Sequence, residues 1–238
     1  MGRVPSNPYL SSPRWAVAEQ IADAVLRRYP AQIHAIGVHG ALAHGDDADG
    51  ADVDLVVVTF RPGEGPRPTS RRVNGVIVDL GVISADEYLE YARTLSTSWP
   101  LAADQYLTTK PIYDPDGWHS RLRDAHLGRL AETGGREFVA LAREAWCSAE
   151  ATYAKSLRLA EWHDTDGALL TLCEARLSAA MVDGLLTRTY FRHSAEAVRR
   201  TGLGEADMVE VGRRLRGQAE ELAKRGHPVD GTIADLLA

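Results

Sequence analysis

Three aspartates on neighbouring candidate strands form the clearest group of residues that can do chemistry. Asp52 and Asp54 open an apolar run that ends at Thr59, and Asp79 lies in the next apolar run, from Val76 to Val82. Because side chains alternate along a strand, Asp52 and Asp54 share one face, about 7 Å apart. Two such carboxylates can bind Mg²⁺, which also takes oxygen ligands from substrate phosphates. The pattern predicts a metal-dependent site for phosphate chemistry.

Asp79 adds a third carboxylate where its strand lies beside that of Asp54. It can ligate the second ion of a two-metal site or orient an attacking hydroxyl. Three close carboxylates repel one another and raise one another's pKa, so the group requires a cation. A lone Asp-x-Asp pair is common at strand starts, where both side chains simply face solvent. The strands on both sides, Asp79 and a preceding glycine turn favour the functional interpretation.

That glycine turn offers a place for phosphates. The apolar run Ile33–Val38 leads into His39, Gly40 and Ala41 and then into a short helical stretch. Backbone N–H groups at such a turn can bind phosphate oxygens. His39 and His44 flank the turn and can donate hydrogen bonds to phosphate, or serve as satisfied loop residues. We expect Gly40, Ala41 and His44 to contact a nucleotide.

Capping signals and periodicity predict the elements that position these residues. A helix begins at Ser12-Pro13 and ends near Pro30, and the capping box of Ser84 and Glu87 opens another through Leu95. The proline-rich stretch 61–72 is predicted as a loop, 110–113 as a strand and 116–127 as a helix. Beyond residue 134, helical patterns cover 136–160, 167–190, 194–201 and 205–225. Cys147 and Cys173 lie in these helices and are predicted to be core residues.

These elements predict an α+β fold, with an α/β domain over residues 1–128 and an all-α helical bundle over 129–238. The 238 residues are 45% hydrophobic and 25% charged, as in globular proteins. A net charge of -6 argues against a nucleic-acid partner and suits a small cationic one. With two cysteines and no apolar window long enough for a membrane span, we expect no membrane association and a cytoplasmic location.

The residues resemble a known family. Gly40-Ala41, Asp52, Asp54 and Asp79 are similar to the motif of the nucleotidyltransferase superfamily that includes DNA polymerase beta. The segments 99–101, 105–106 and 111–114 (WPL, QY and PIYD) resemble the kanamycin nucleotidyltransferase family, the aminoglycoside 4'-O-adenylyltransferases, in order and spacing. The resemblance is good over residues 20–120 and weak through the helical half. It implies a nucleotidyltransferase domain with a small mixed sheet.

The resemblance also implies an activity. Enzymes of this family transfer a nucleoside monophosphate from Mg-ATP or another NTP to an antibiotic hydroxyl, releasing pyrophosphate, and they work as homodimers with sites at the interface. By this resemblance, Asp52 and Asp54 are metal ligands and Asp79 is the third acid. Neither ATP nor GTP is favoured by the sequence. The acceptor is expected to be an aminoglycoside-type molecule, as in antibiotic resistance.

Two positions depart from the family pattern. The family has a glutamate base and a lysine on the first long helix of the second domain; Lys155 matches the lysine, while Glu150 stands one residue early. Glu144 and Glu174 are the alternatives for the base, and a solvated helix face is the alternative for Glu150 and Lys155. Ala41 stands where the family has serine, which removes a hydrogen bond worth about 1.5–3 kcal/mol if made to a charged group.

Two other functions are consistent with the sequence. Small nucleotidyltransferase domains also act as antitoxin-like or regulatory modules, although the fused helical half and the WPL-to-PIYD segment favour the antibiotic-modifying group. A nucleotide-binding pseudoenzyme is the other alternative, and only Ala41 supports it. The three retained aspartates argue against it, because a protein without catalysis has no need of three mutually repelling acids.

Overall fold

The structure, a computed structural model, describes residues 12–46, 48 and 50–237. It divides into two compact units. The first contains the described residues up to Leu95 and Ala103–Glu132, and the second contains Ser96–Ala102 and the described residues from Thr133 onward. The division at residues 128 and 129 drawn from the sequence stays a prediction.

A five-stranded mixed sheet forms the centre of the first unit. Its strands lie in the order β3-β4-β2-β1-β5, with β2 and β4 parallel and the other neighbours antiparallel. The strands are β1 (Ile33–His39), β2 (Val53–Thr59), β3 (Thr69–Val73), β4 (Val76–Ser84) and β5 (Lys110–Tyr113). Together with the helices described next, this sheet confirms the predicted α+β fold class.

Helices connect and cover these strands. They are α1 (Pro13–Arg28), α2 (Gly40–His44), α3 (Ala85–Arg93), α4 (Trp99–Thr108) and α5 (Trp118–Glu132). The Ser12 side chain caps α1 by accepting from the backbone N–H of Trp15, and Ser84 and Glu87 form the predicted capping box of α3. Apolar residues of α1 pack with those of β1 and β2 in a buried cluster that includes Ala18, Ile36 and Leu55.

Two elements of this unit differ from the sequence prediction. The predicted loop over 61–72 contains the start of β3, whose five residues are mostly exposed. An edge strand with polar side chains lacks the apolar alternation that identifies a half-buried strand, so its pairing with β4 decides its structure. Helix α4 was not predicted, because its proline and small residues give it little amphipathic pattern.

The second unit is helical. Its helices are α6 (Gly135–Glu161), α7 (Thr165–Thr187), α8 (Ser194–Arg200), α9 (Met208–Lys224) and α10 (Ile233–Leu237), and its residues Ser96–Ala102 include the start of α4. Asp164 caps α7, and Asp207 and Glu210 form a capping box on α9. Alanines line the contact of α6 with α7, which allows the two helices to pack closely.

The two cysteines correct one prediction from the sequence. Cys147 and Cys173 are exposed free thiols on α6 and α7 and not core residues. The neighbouring Ala149 and Leu172 are buried, since one residue along a helix is a rotation of about 100°. Over residues 12–46, 48 and 50–237, no helix is long and apolar enough to cross a membrane.

Candidate active site

A row of polar residues crosses one end of the sheet. His39 of β1 is the register partner of Asp54 of β2, Asp54 is the partner of Asp79 of β4, and Asp79 is the partner of Ser70 of β3. Because register partners in a sheet point to the same face, these four side chains lie on one face. The sequence predicted the pairing of the Asp54 and Asp79 strands, and the structure has it.

Asp54 is the most strongly perturbed carboxylate of this row. Burial raises its pKa from 3.8 to about 6, and the negative charges of Asp52 and Asp79 raise it further in the same direction. Asp52 directly precedes β2 and is exposed, as is Asp79. The three aspartates therefore interact electrostatically, with Asp54 the most buried. A positive charge placed beside them would remove this cost of ionising Asp54.

Gly40 packs directly against Asp54. Its φ of +66° lies in the left-handed region, and a Cβ at this position would overlap the Asp54 carboxylate. A side chain is thus excluded for two independent reasons, the backbone conformation and the space that Asp54 occupies. Gly40 begins α2, and its N-cap residue His39 provides no side-chain hydrogen bond to the helix. The backbone of Gly40 and Ala41 consequently lies next to the carboxylate row.

His39 lies close to several of these acids. Burial lowers its pKa, while the negative charges of Asp104, Asp79 and Asp52 act in the opposite direction, and burial has the larger effect. The neutral form of His39 is therefore favoured at physiological pH. A neutral imidazole can accept or donate a hydrogen bond but adds no positive charge to offset the carboxylates.

Helix α2 ends at His44, whose Nε2 atom lies 3.0 Å from both carboxylate oxygens of Asp104 on α4. Asp104 is buried, and Thr108 Oγ1 lies 3.4 Å from the same Nε2 atom. The sequence singled out His44 as a nucleotide contact but missed Asp104. Its partner is 60 residues away, and the helix that carries Asp104 has no clear pattern, so no local signal pointed to this pair.

The predicted general base and lysine lie in the second unit. Glu150 is partly buried and Lys155 is exposed, both on α6. Five residues of helix separate them by a rotation of about 140°, so they do not share a face. The alternatives Glu144 and Glu174 are exposed, on α6 and α7. The roles of all four residues stay predictions.

The carboxylate row has the donor chemistry of a Mg²⁺ site. Within the part of the chain that the structure describes, no group of three or more His, Cys, Asp or Glu side chains is arranged to hold a metal ion. Mg²⁺ does not need such a group, because it commonly binds one or two carboxylates and completes its shell with phosphate oxygens and water. Asp54, partly buried between two other carboxylates, fits this chemistry.

Comparison with known proteins gives two curated relatives. Both are named aminoglycoside nucleotidyltransferase (4'), one from Staphylococcus aureus and one from a Bacillus species, and each is 27% identical to this chain over 105 residues. The resemblance to the kanamycin nucleotidyltransferase family is confirmed. The match covers 44% of this chain and 41% of each relative. The chain thus spans about two fifths of the length of these relatives.

No family model matches this chain. Among solved structures, a nucleotidyltransferase-like protein from Exiguobacterium sibiricum aligns with 87% of this chain and 75% of its own length. The two are 15% identical in sequence, and the TM-score is 0.46.

Proposed function

We propose that this protein is a Mg²⁺-dependent nucleotidyltransferase. It transfers AMP or another nucleoside monophosphate from an NTP to a hydroxyl of a small, aminoglycoside-type acceptor, and it releases pyrophosphate. The observation that carries this proposal is the packing of Gly40 against Asp54, next to Asp79 in register. It gives the site a backbone turn for phosphates beside carboxylates suited to a cation. The similarity to aminoglycoside nucleotidyltransferases supports the same activity.

In this mechanism Asp52, Asp54 and Asp79 hold the metal ions. When bound, Mg²⁺ neutralises the triphosphate and its pyrophosphate leaving group. The backbone of Gly40 and Ala41 and the side chain of His44 contact the phosphates. Binding of nucleotide and acceptor at one site places the hydroxyl in line with the α-phosphorus.

The chemical step is a displacement at the α-phosphorus. Asp79 or Glu150 takes the proton of the acceptor hydroxyl, the hydroxyl oxygen bonds to the α-phosphorus, and the bond to the pyrophosphate oxygen breaks. Lys155 stabilises the negative charge that develops on the phosphate. Glu150 and Lys155 belong to a different unit from the aspartates, so this assignment rests on the family resemblance.

Three further features belong to the proposal. The net charge of -6 favours a cationic acceptor over an anionic one. A homodimer with its sites at the subunit interface, a two-domain division at residue 128 and a cytoplasmic location complete the picture. Each follows from the family resemblance or the composition.

Pyrophosphate release tests the proposal. The purified protein is incubated with Mg²⁺, with ATP or GTP, and with a pooled panel of aminoglycosides. We expect release that requires both the metal and an aminoglycoside. Asp54→Asn should remove it, whereas Asp23→Asn, which changes an exposed aspartate in the middle of α1, should not. Retention of the wild-type rate by Asp54→Asn would show that the metal assignment is wrong.

Ala41 supports one alternative, a nucleotide-binding protein without transferase activity. The missing hydroxyl weakens phosphate binding, and Ala41→Ser should restore it. If neither the wild type nor Ala41→Ser releases pyrophosphate but both bind nucleotide in calorimetry, the binding role is correct. If neither binds nucleotide, the site assignment itself fails.

A further inference from the structure

The second unit contains a cavity of about 550 Å³ that the proposed reaction does not use. Residues of α7 and α9 and the turn around Leu203 line it. Its volume lies in the range typical of small-molecule sites. A second cavity of about 300 Å³ shares the lining residues Leu186 and Arg225 with the first. The two cavities are therefore neighbours and form one groove within this unit.

One end of the groove has buried acceptors that lack donors. Gln218 is 4% exposed and donates both of its amide hydrogens, to the Ala179 carbonyl at 2.8 Å and to Asp183 Oδ1 at 2.7 Å. These two bonds fix the orientation of the amide. Among the described residues, its Oε1 atom has no hydrogen-bond partner. Leaving such a buried acceptor unpaired is unfavourable, so this oxygen requires a donor.

Asp183 adds a second acceptor at the same end. Its Oδ2 atom is buried and accepts no hydrogen bond from the residues that the structure describes, although Arg214 Nη1 lies 3.3 Å away. Burial raises the pKa of Asp183, while the Gln218 hydrogen bond and the Arg214 charge oppose this shift. Two neighbouring oxygens that lack hydrogen-bond donors select a ligand group with several N–H donors, such as an ammonium or an amide.

The other end of the groove is cationic. The smaller cavity is lined by Arg136, Arg188 and Arg225 and by no acidic residue. Arg225 pairs with Glu221 at 2.7 Å. Within the described ranges, Arg136 and Arg188 form no ion pair with a carboxylate, while Arg188 lies over the Phe138 ring. Two uncompensated guanidinium groups at one end of a groove favour an anionic ligand group.

We propose that this groove binds a small bipolar molecule, with an N–H donor group at Gln218 and Asp183 and an anionic group at Arg136 and Arg188. Gln218 and Arg225 are seven residues apart on one helical path, which corresponds to about 10 Å. A ligand of amino-sugar phosphate size can span most of this length. The inference does not depend on the proposed transferase activity, because no residue of the groove belongs to that mechanism.

Calorimetry with matched probes tests the proposal on the full-length protein. Glucosamine 6-phosphate and O-phosphoethanolamine carry both groups, glucose 6-phosphate lacks the amine, and glucosamine lacks the phosphate. We expect at least one bipolar probe to bind about tenfold more tightly than either half-probe, because each charged contact contributes roughly 1.5–3 kcal/mol. If neither bipolar probe binds at about 10 mM, or if a half-probe binds equally well, the proposal is overturned.

Variants then locate the site. Arg136→Gln and Arg188→Asn should each weaken the bipolar probe about tenfold and leave glucosamine unaffected. Asparagine suits position 188 because it tolerates the left-handed backbone, where φ is 52°. Arg216→Gln, an exposed α9 position outside the lining, is the control. Gln218→Leu should weaken probes that carry the amine; if it does not fold, the two arginine variants decide. Unchanged affinity in both arginine variants would show that the probe binds elsewhere.

Discussion

His44 at the end of α2 and Asp104 on α4 form a close pair, with the imidazole Nε2 atom 3.0 Å from each carboxylate oxygen. Because an ionised carboxylate only accepts, Nε2 carries the hydrogen and donates. The pair holds the helix that begins at Gly40 against the middle of α4. The polar turn that faces the candidate site is thereby fixed from behind by a buried charge.

This pair should be visible as a coupling energy. We expect Asp104→Leu to lower the free energy of unfolding by about 1–3 kcal/mol, because it leaves the His44 donor without its acceptor. In a His44→Leu background the same change should cost about 1–2 kcal/mol less. Urea unfolding of the four proteins measures the coupling. Asp104→Asn keeps an acceptor and should cost less than Asp104→Leu. Strictly additive effects would show that the pair does not contribute to stability.

Asp54 should respond to Mg²⁺ in a defined direction. Its raised pKa means that the folded protein pays for its ionisation above pH 6, so Asp54→Asn should raise the melting temperature of the metal-free protein at pH 8. Below pH 4 both folded and unfolded wild type are protonated at this position, and the gain disappears. Mg²⁺ should raise the melting temperature of the wild type more than that of Asp54→Asn. An equal Mg²⁺ response would place the cation elsewhere.

Gly40→Ala should be more damaging than a glycine substitution at an unobstructed turn. Gly75, in the β3–β4 hairpin, also has a positive φ, but nothing lies within 4 Å of a Cβ built there. Gly75→Ala therefore carries only the backbone cost, roughly 1–2 kcal/mol. Gly40→Ala carries the same cost and also displaces the Asp54 carboxylate. Chemical denaturation and nucleotide binding should both show the difference; equal stability losses and intact nucleotide binding would contradict it.

His126 should make the protein less stable in mild acid. Burial lowers its pKa from 6.5, against the effect of its hydrogen bond to the Ala92 carbonyl. The unfolded chain binds a proton at this residue below pH 6.5 while the folded protein does not, so stability is full above that pH and falls as the pH is lowered. His126→Asn keeps a donor for Ala92 and removes the titration.

The pH profile of unfolding measures this effect. Between pH 6.5 and the folded pKa, the wild type should lose up to about 1.4 kcal/mol per pH unit more than His126→Asn. Other titrating groups are common to both proteins, so they cancel in the difference. Parallel profiles would mean that His126 has the same proton affinity in the folded and unfolded states.

Much of the candidate site could be predicted because its signals are local. The apolar runs of β2 and β4 and the aspartates within them follow from side-chain alternation, and Gly40 follows from its place between a strand and a short helix. Asp104 could not be predicted in this way, because its partner is distant in the chain. Strand β3 escaped for a related reason: its polar residues pair with β4 at a sheet edge and bury little.

The helical half shows a different limit. Caps and breakers predicted the four longer helices closely, while the buried faces required the structure. Cys147 and Cys173 illustrate this limit, since an alanine-rich helix has small residues on every side and gives no clear apolar stripe. The orphaned oxygen of Gln218 likewise depends on bonds to Ala179 and Asp183, which belong to another helix.

The short segment Ser96–Ala102 makes both units discontinuous in the chain. It belongs to the helical unit, where Trp99 packs edge-on against Phe138 and the Pro100 carbonyl accepts from the Phe191 amide at 2.7 Å. The polypeptide therefore passes from one unit to the other three times, at residues 95, 102 and 132. Recombination at a single crossover cannot exchange either half for that of a relative. A functional chimera would have to carry the Trp99 segment together with the helices that bury it.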